Sequence, residues 1–78
     1  MRWRVSHDPD PDYGRPQAVY WADEGPWHAV CRWSFLRGIW TWRVSRLGTA
    51  CYYPERSGFG RTLRTCKDAC RDLAEPPA

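Results

Sequence analysis

The sequence predicts an α+β domain: an antiparallel sheet of three to five strands packed on one C-terminal α-helix. Three observations predict it. Apolar residues recur at every second position from Trp27 to Phe35 and again from Trp40 to Val44, which is the period of a half-buried strand. From Leu63 the period changes, and Leu63, Cys66, Cys70 and Leu73 fall on one face of a helix. Strands come first and the helix last, so the order argues for an antiparallel meander with one helix rather than βαβ units. The chain has 78 residues, room for a single small domain. Its expected core is residues 27–74, with 7–16 as a loop and 75–78 as a tail.

Trp3 and Val5 alternate with Arg2, Arg4 and Ser6, a short first strand. Residues 7–16 hold Pro9, Pro11 and Pro16 among three aspartates. Proline cannot donate to a ladder, so a loop is expected there. Ala18 to Ala22 is a second strand, and Asp23-Glu24-Gly25-Pro26 a turn. Trp27, Ala29, Cys31, Trp33 and Phe35 alternate with His28, Val30, Arg32 and Ser34 in the third strand. After Gly38, Trp40, Trp42 and Val44 alternate with Thr41, Arg43 and Ser45 in the fourth. Gly48 turns the chain into a further strand, Ala50 to Tyr53, ended by Pro54, and Glu55 to Arg61 is expected as a loop. Thr62 or Thr65 caps the helix, Thr65 having Asp68 three residues on. Pro76 and Pro77 end it.

On this pattern the helix turns the small residues Cys66, Ala69 and Cys70 toward Trp3, Trp27, Trp33, Trp40 and Trp42. Small against large is how facing layers fill space. One helix of roughly three turns is too short to cover all five indoles, so the first two strands or a partner must cover the rest. The other sheet face is expected to carry Arg2, Arg4, Arg32, Thr41, Arg43 and Ser45, with Tyr20.

The net charge of +3 is uneven. Residues 1–30 hold three Arg and five acids, whereas residues 31–64 hold seven Arg and only Glu55 as an acid. Such a window attracts nucleic acid or an acidic protein surface, or is simply a solvated face.

Enzymatic chemistry finds little support. Asp8-Pro9-Asp10-Pro11-Asp12 opens like a calcium loop, but the positions that need Gly and Glu hold Tyr13 and Val19, so a stiff acidic loop is expected. His28 and Cys31 are three apart on one strand and face opposite sides. Ser57-Gly58-Phe59-Gly60-Arg61 lacks the Lys-Ser/Thr of a phosphate-binding loop. No enzyme and no cofactor are expected. Cys31, Cys51, Cys66 and Cys70 are read first as buried thiols, second as zinc ligands and third as disulfide partners. No apolar run is long enough for a membrane span or a signal peptide, so a cytoplasmic protein is expected.

Gly38-Ile39-Trp40-Thr41-Trp42-Arg43-Val44, Ser57-Gly58-Phe59 and Thr65-Cys66-Lys67-Asp68-Ala69 together resemble the arm-type DNA-binding domain of phage integrases, over residues 38–74. The resemblance implies a sheet-on-helix module with Arg43 reaching DNA from the sheet face. Arg46 is a further candidate on the strand that carries the resemblance, although alternation groups it with Trp42 and Val44. Two departures stand out: Thr65 lies six residues after Phe59, and Ala50 to Tyr53 lacks the family's basic residues. Eleven Arg against one Lys, with abundant Trp, also looks like the small orphan proteins of phages that infect GC-rich bacteria.

Three functions follow as expectations. The first is a non-catalytic binding module, phage- or mobile-element-encoded, that engages a host protein through Tyr20, Trp21, Trp27 and Trp33. The second is a double-stranded DNA-binding module using Arg32, Arg37, Arg43 and Arg46, of which Arg32 and Arg37 come from the charge pattern alone. The third is a homodimer that buries its spare indoles against its own copy.

Overall fold

The structure, a computed structural model, describes residues 2–10, 13–46 and 56–74. Its elements are β1 (Arg4–Pro9), β2 (Pro16–Glu24), β3 (Trp27–Ser34), β4 (Ile39–Arg46), β5 (Arg56–Gly60) and α1 (Leu63–Ala74). The five strands form one sheet in the order β1-β2-β3-β4-β5, and every neighbouring pair is antiparallel. The α+β class and the single C-terminal helix stand as expected. The helix packs on β4, with further contacts to β3 and β5, so it lies toward one side of the sheet.

The turns follow from local chemistry. Glu24 pairs with Trp27 across a two-residue loop in which Gly25 has φ 56° and Pro26 comes next. Positive φ at the first position and proline-like φ at the second are the demands of a II′ hairpin. Between β1 and β2 the organiser is Asp10, only 3% exposed. Its carboxylate accepts hydrogen bonds from the Tyr13 amide at 2.8 and 3.0 Å and from the Arg15 amide at 3.2 Å. Charge-assisted bonds of this kind offset the cost of burying a carboxylate. Asp10 therefore serves the backbone of its own turn.

Three expectations need correction. First, β1 and β2 run on to Pro9 and Pro16, which pair with each other, so His7 and Asp8 are strand residues rather than loop. Prolines are tolerated there because they sit at the end of an edge ladder. Second, Tyr20 is not on the outer face. It pairs with Cys31 and shares the helix side, where the Lys67 ammonium lies 4.7 Å from its ring centre. Third, residues 56–60 are strand β5, not loop. The strand expected at residues 50–53 lies outside the described residues.

The reason β5 reads as a loop is also what it contributes. A Cβ at Gly58 would lie 2.7 Å from the Trp42 ring, and one at Gly60 would lie 2.8 Å from Cys66 Sγ. Both glycines face the helix side, and the missing side chains admit an indole and the first turns of α1.

The packed centre is Ala29, Cys31, Val44, Cys66 and Cys70, none more than 1% exposed, ringed by Trp3, Tyr20, Trp27, Trp40, Trp42 and Leu63. Indoles are too bulky for the closest helix–sheet contact and surround it. Trp40 meets Trp33 edge-on at 5.6 Å and Tyr20 at 6.3 Å, a favoured aromatic geometry. Cations cap the outer rings, with Lys67 5.4 Å from Trp3 and Arg46 5.3 Å from Trp27. Thr62 caps the helix: its Oγ1 accepts from the Thr65 amide at 3.1 Å. This places Thr65 in the first turn, so the alternative cap with Asp68 does not form.

Replacing Gly60 or Gly58 by Ala is expected to destabilise the fold by about 1–3 kcal/mol through overpacking. Each kcal/mol corresponds to a Tm loss of roughly 4–8 °C in a domain of this size. Thermal denaturation followed by circular dichroism checks it, and an unchanged Tm in both variants would contradict the close approach.

Candidate anion-binding pocket on the open sheet face

With α1 on one face, the other face of the sheet carries no helix among the described residues. Strand alternation and register decide what it presents. Arg4, Trp21, Val30 and Arg43 form one row across β1 to β4. Ser6 pairs with Val19 and Arg32 with Thr41 in the next row, while Asp23, His28 and Ser45 form a third. These rows enclose a concave pocket of about 360 Å³. Val19, Val30 and Trp21 form its apolar part, with Arg32 and Arg43 on one side and Ser6, Asp8, His28 and Ser45 around the rest. Val19 is only 3% exposed, although it lies on the face away from the helix.

The electrostatics centre on two guanidiniums. Arg32 and Arg43 stand on adjacent strands, and neither has an ion pair among the described residues. Burial, and then the charge of Arg43, lower the Arg32 pKa below its ordinary value, with Asp8 partly opposing them. Arg32 Nε is buried and has no hydrogen-bond partner, as is Gln17 Oε1 on the same face. A native fold rarely leaves such groups unpaired. Around them the framework is tied down. Thr41 Oγ1 donates to the Arg32 carbonyl at 3.1 Å, and Gln17 Nε2 to the Trp33 carbonyl at 2.9 Å. The Arg4 guanidinium lies 5.3 Å from the centre of the Trp21 ring, and the His28 ring lies 6.0 Å from it at a 40° tilt. Asp23 in turn holds His28, through Oδ1 to Nδ1 at 2.6 Å.

The eight side chains expected to bind nucleic acid or a protein partner divide unevenly between the two faces. Of the four arginines proposed for nucleic acid, Arg32 and Arg43 meet in the pocket. Arg37 is in the β3–β4 turn, 5.1 Å from the Phe59 ring. Arg46 is on the helix side over Trp27, as its alternation with Trp42 and Val44 implies. Of the four aromatics proposed for a protein partner, only Trp21 lines the pocket, while Tyr20, Trp27 and Trp33 share the helix side. Sequence reasoning missed Val19 and Val30. The signal for Val19 is that residues 18–22 of β2 are apolar on both parities, whereas Val30 stands among His28, Arg32 and Ser34 on the polar parity of β3.

Asp23, His28 and Ser45 supply the residue types of a hydrolytic relay in one row, yet no hydrogen bond joins Ser45 to His28. Cys31, Cys66 and Cys70 are free thiols buried under α1, with Cys31 Sγ 3.9 Å from Cys70 Sγ. No group of three or more side chains arranged to hold a metal occurs among the described residues, and Cys51 lies outside them. The hydrogen bond to Cys70, and burial, push the Cys31 thiol up. Burial and then Cys70 push Cys66 up to about 11.

No known family matches the sequence, and no curated protein or solved structure is similar to it.

The raised thiol has a consequence with a definite sign. Folding favours the neutral form of Cys66, so its contribution is complete below the ordinary pKa of 9.0 and is lost as pH rises toward about 11. Thermal melts are expected to show Tm falling across that window, with a shallower fall in Cys66→Ala. Parallel curves for the two proteins would show that Cys66 does not contribute.

Proposed function

We propose that the chain is a non-catalytic binding module that takes nucleic acid on its open sheet face. The observation that carries this reading is the Arg32–Arg43 pair, two like charges side by side in a concave pocket, one with a dry and unpartnered Nε. Holding them together costs free energy in the free protein, and an anion placed between them would recover it. Arginine is suited to this because its planar fork binds phosphate oxygens bidentately and stays charged. The excess of arginine over acids in residues 31–64 supports the same sign of partner.

A host-protein partner is supported less well. That reading needs Tyr20, Trp21, Trp27 and Trp33 on one surface, and the register divides them between two faces. Three of the four belong to the aromatic cluster on the helix side, where stacking and cation contacts already engage them. A homodimer has no pairing of this kind to support it.

Fluorescence anisotropy with a labelled random-sequence oligonucleotide, at about 50 and 200 mM salt, tests the proposal. Affinity is expected to fall steeply with salt, because phosphate contacts release counterions. In the double variant Arg32→Ala/Arg43→Ala the slope of log K against log salt should flatten by about 1.4–1.8, the loss of two phosphate contacts. Its circular dichroism spectrum should be retained. Unchanged affinity and slope in the double variant would remove this face from consideration.

A further inference from the structure

We infer that the nucleic acid is single-stranded, and that one unpaired base enters the pocket against Trp21 and Val30 while neighbouring phosphates meet Arg32 and Arg43. This deepens the nucleic-acid reading and rests on it.

Width is the first reason. The pocket is lined by residues of four adjacent strands, β1 to β4. Strands lie about 4.8 Å apart, so their axes span about 14 Å. The major groove of a B-form duplex is about 12 Å wide and admits a helix or a two-stranded ribbon. A face this wide cannot enter the groove, and the outside of a duplex presents phosphates that stop at the rim. Val19, at 3% exposure, only floors the pocket, whereas Trp21 and Val30 keep part of their apolar surface open within it, below that reach. Only a base swung out of its stack can get there.

Chemistry is the second reason. A pocket meant for phosphate alone gains nothing from two valines and an indole. A base brings a π-face, which stacks on aromatic and apolar surface whatever its sequence, and its backbone brings the phosphates. The volume of about 360 Å³ is at the small end of ligand pockets, in keeping with one ring system. Ser6 and Ser45 at the margin can donate or accept at a base edge, and Asp8 can accept from an exocyclic amine. His28, held by Asp23 at 2.6 Å, lies with its ring 6.0 Å from that of Trp21 and tilted by 40°, so it is not stacked flat on the indole.

The test compares a labelled single-stranded 12-mer with the duplex of the same sequence, in deoxy and ribo forms, by anisotropy at low salt. Single strands are expected to bind at least tenfold more tightly than either duplex, and the tighter of the two single strands identifies the sugar. Trp21→Phe keeps a π-face and should hold affinity within about threefold. Trp21→Leu keeps an apolar side chain without the π-face and should lose on the order of tenfold or more. Both variants keep an apolar side chain at the site, and thermal melts check that they fold. Duplex binding equal to or tighter than single-strand binding overturns the inference but not the nucleic-acid reading, and so does wild-type affinity in Trp21→Leu. Failure of single strand and duplex alike overturns the nucleic-acid reading itself.

Discussion

Where α1 meets β3 and β4, every fully buried side chain is small: Ala29, Cys31, Val44, Cys66 and Cys70. No bulky side chain separates helix from sheet there, so the two lie close, and most other features of the fold adjust to that distance. Gly60 lacks a Cβ because Cys66 Sγ occupies its place, and Gly58 lacks one because the Trp42 ring does. A domain of this size has little interior to spare, and dense contact between small groups makes use of what there is. The sulfurs contribute as compact apolar atoms, and burial holds Cys66 in its neutral form.

The same closeness moves the large aromatics outward. Trp3, Tyr20, Trp27, Trp40 and Trp42 surround the small-residue centre. Each remains partly exposed, and each has a use for an amphipathic neighbour. Lys67 serves two rings at once and Arg46 a third. Long cationic side chains cover apolar surface with their stems while the charge stays in water. Two of the basic residues that raise the net charge, Lys67 and Arg46, therefore belong to the packing of the helix side and are not counted as contacts for a partner.

The open face works under different constraints. Among the described residues no helix covers the second face of the sheet, and its side chains pair with one another. They do so unevenly. His28 with Asp23, and Arg4 with Trp21, are locally matched, whereas Arg32 and Arg43 repel each other and Asp8 offsets this only in part at Arg32. Local mismatch inside an otherwise matched framework is where a binding site is expected, since free energy withheld in the free protein is available on binding.

The fold class, the hairpin at Gly25-Pro26, strands β3 and β4 and the helix were all legible in the sequence, because each depends on local periodicity or turn chemistry. Cys66 and Cys70 were legible as inward residues for the same reason. The site was legible in part: alternation puts Arg32 and Arg43 on one parity and Arg46 on the other. Strand β5 was not legible, since its glycines are selected by atoms of Trp42 and Cys66 that are distant in the chain. Nor was the side taken by Tyr20 and Trp21. In a strand apolar on both parities, periodicity leaves the choice open, and the pairing of Tyr20 with Cys31 decides it. Periodicity thus determined which residues share a face. Tertiary packing determined which face the helix covers, and so which arginines are left together in a pocket, because only contact between distant segments distinguishes the two sides of a sheet.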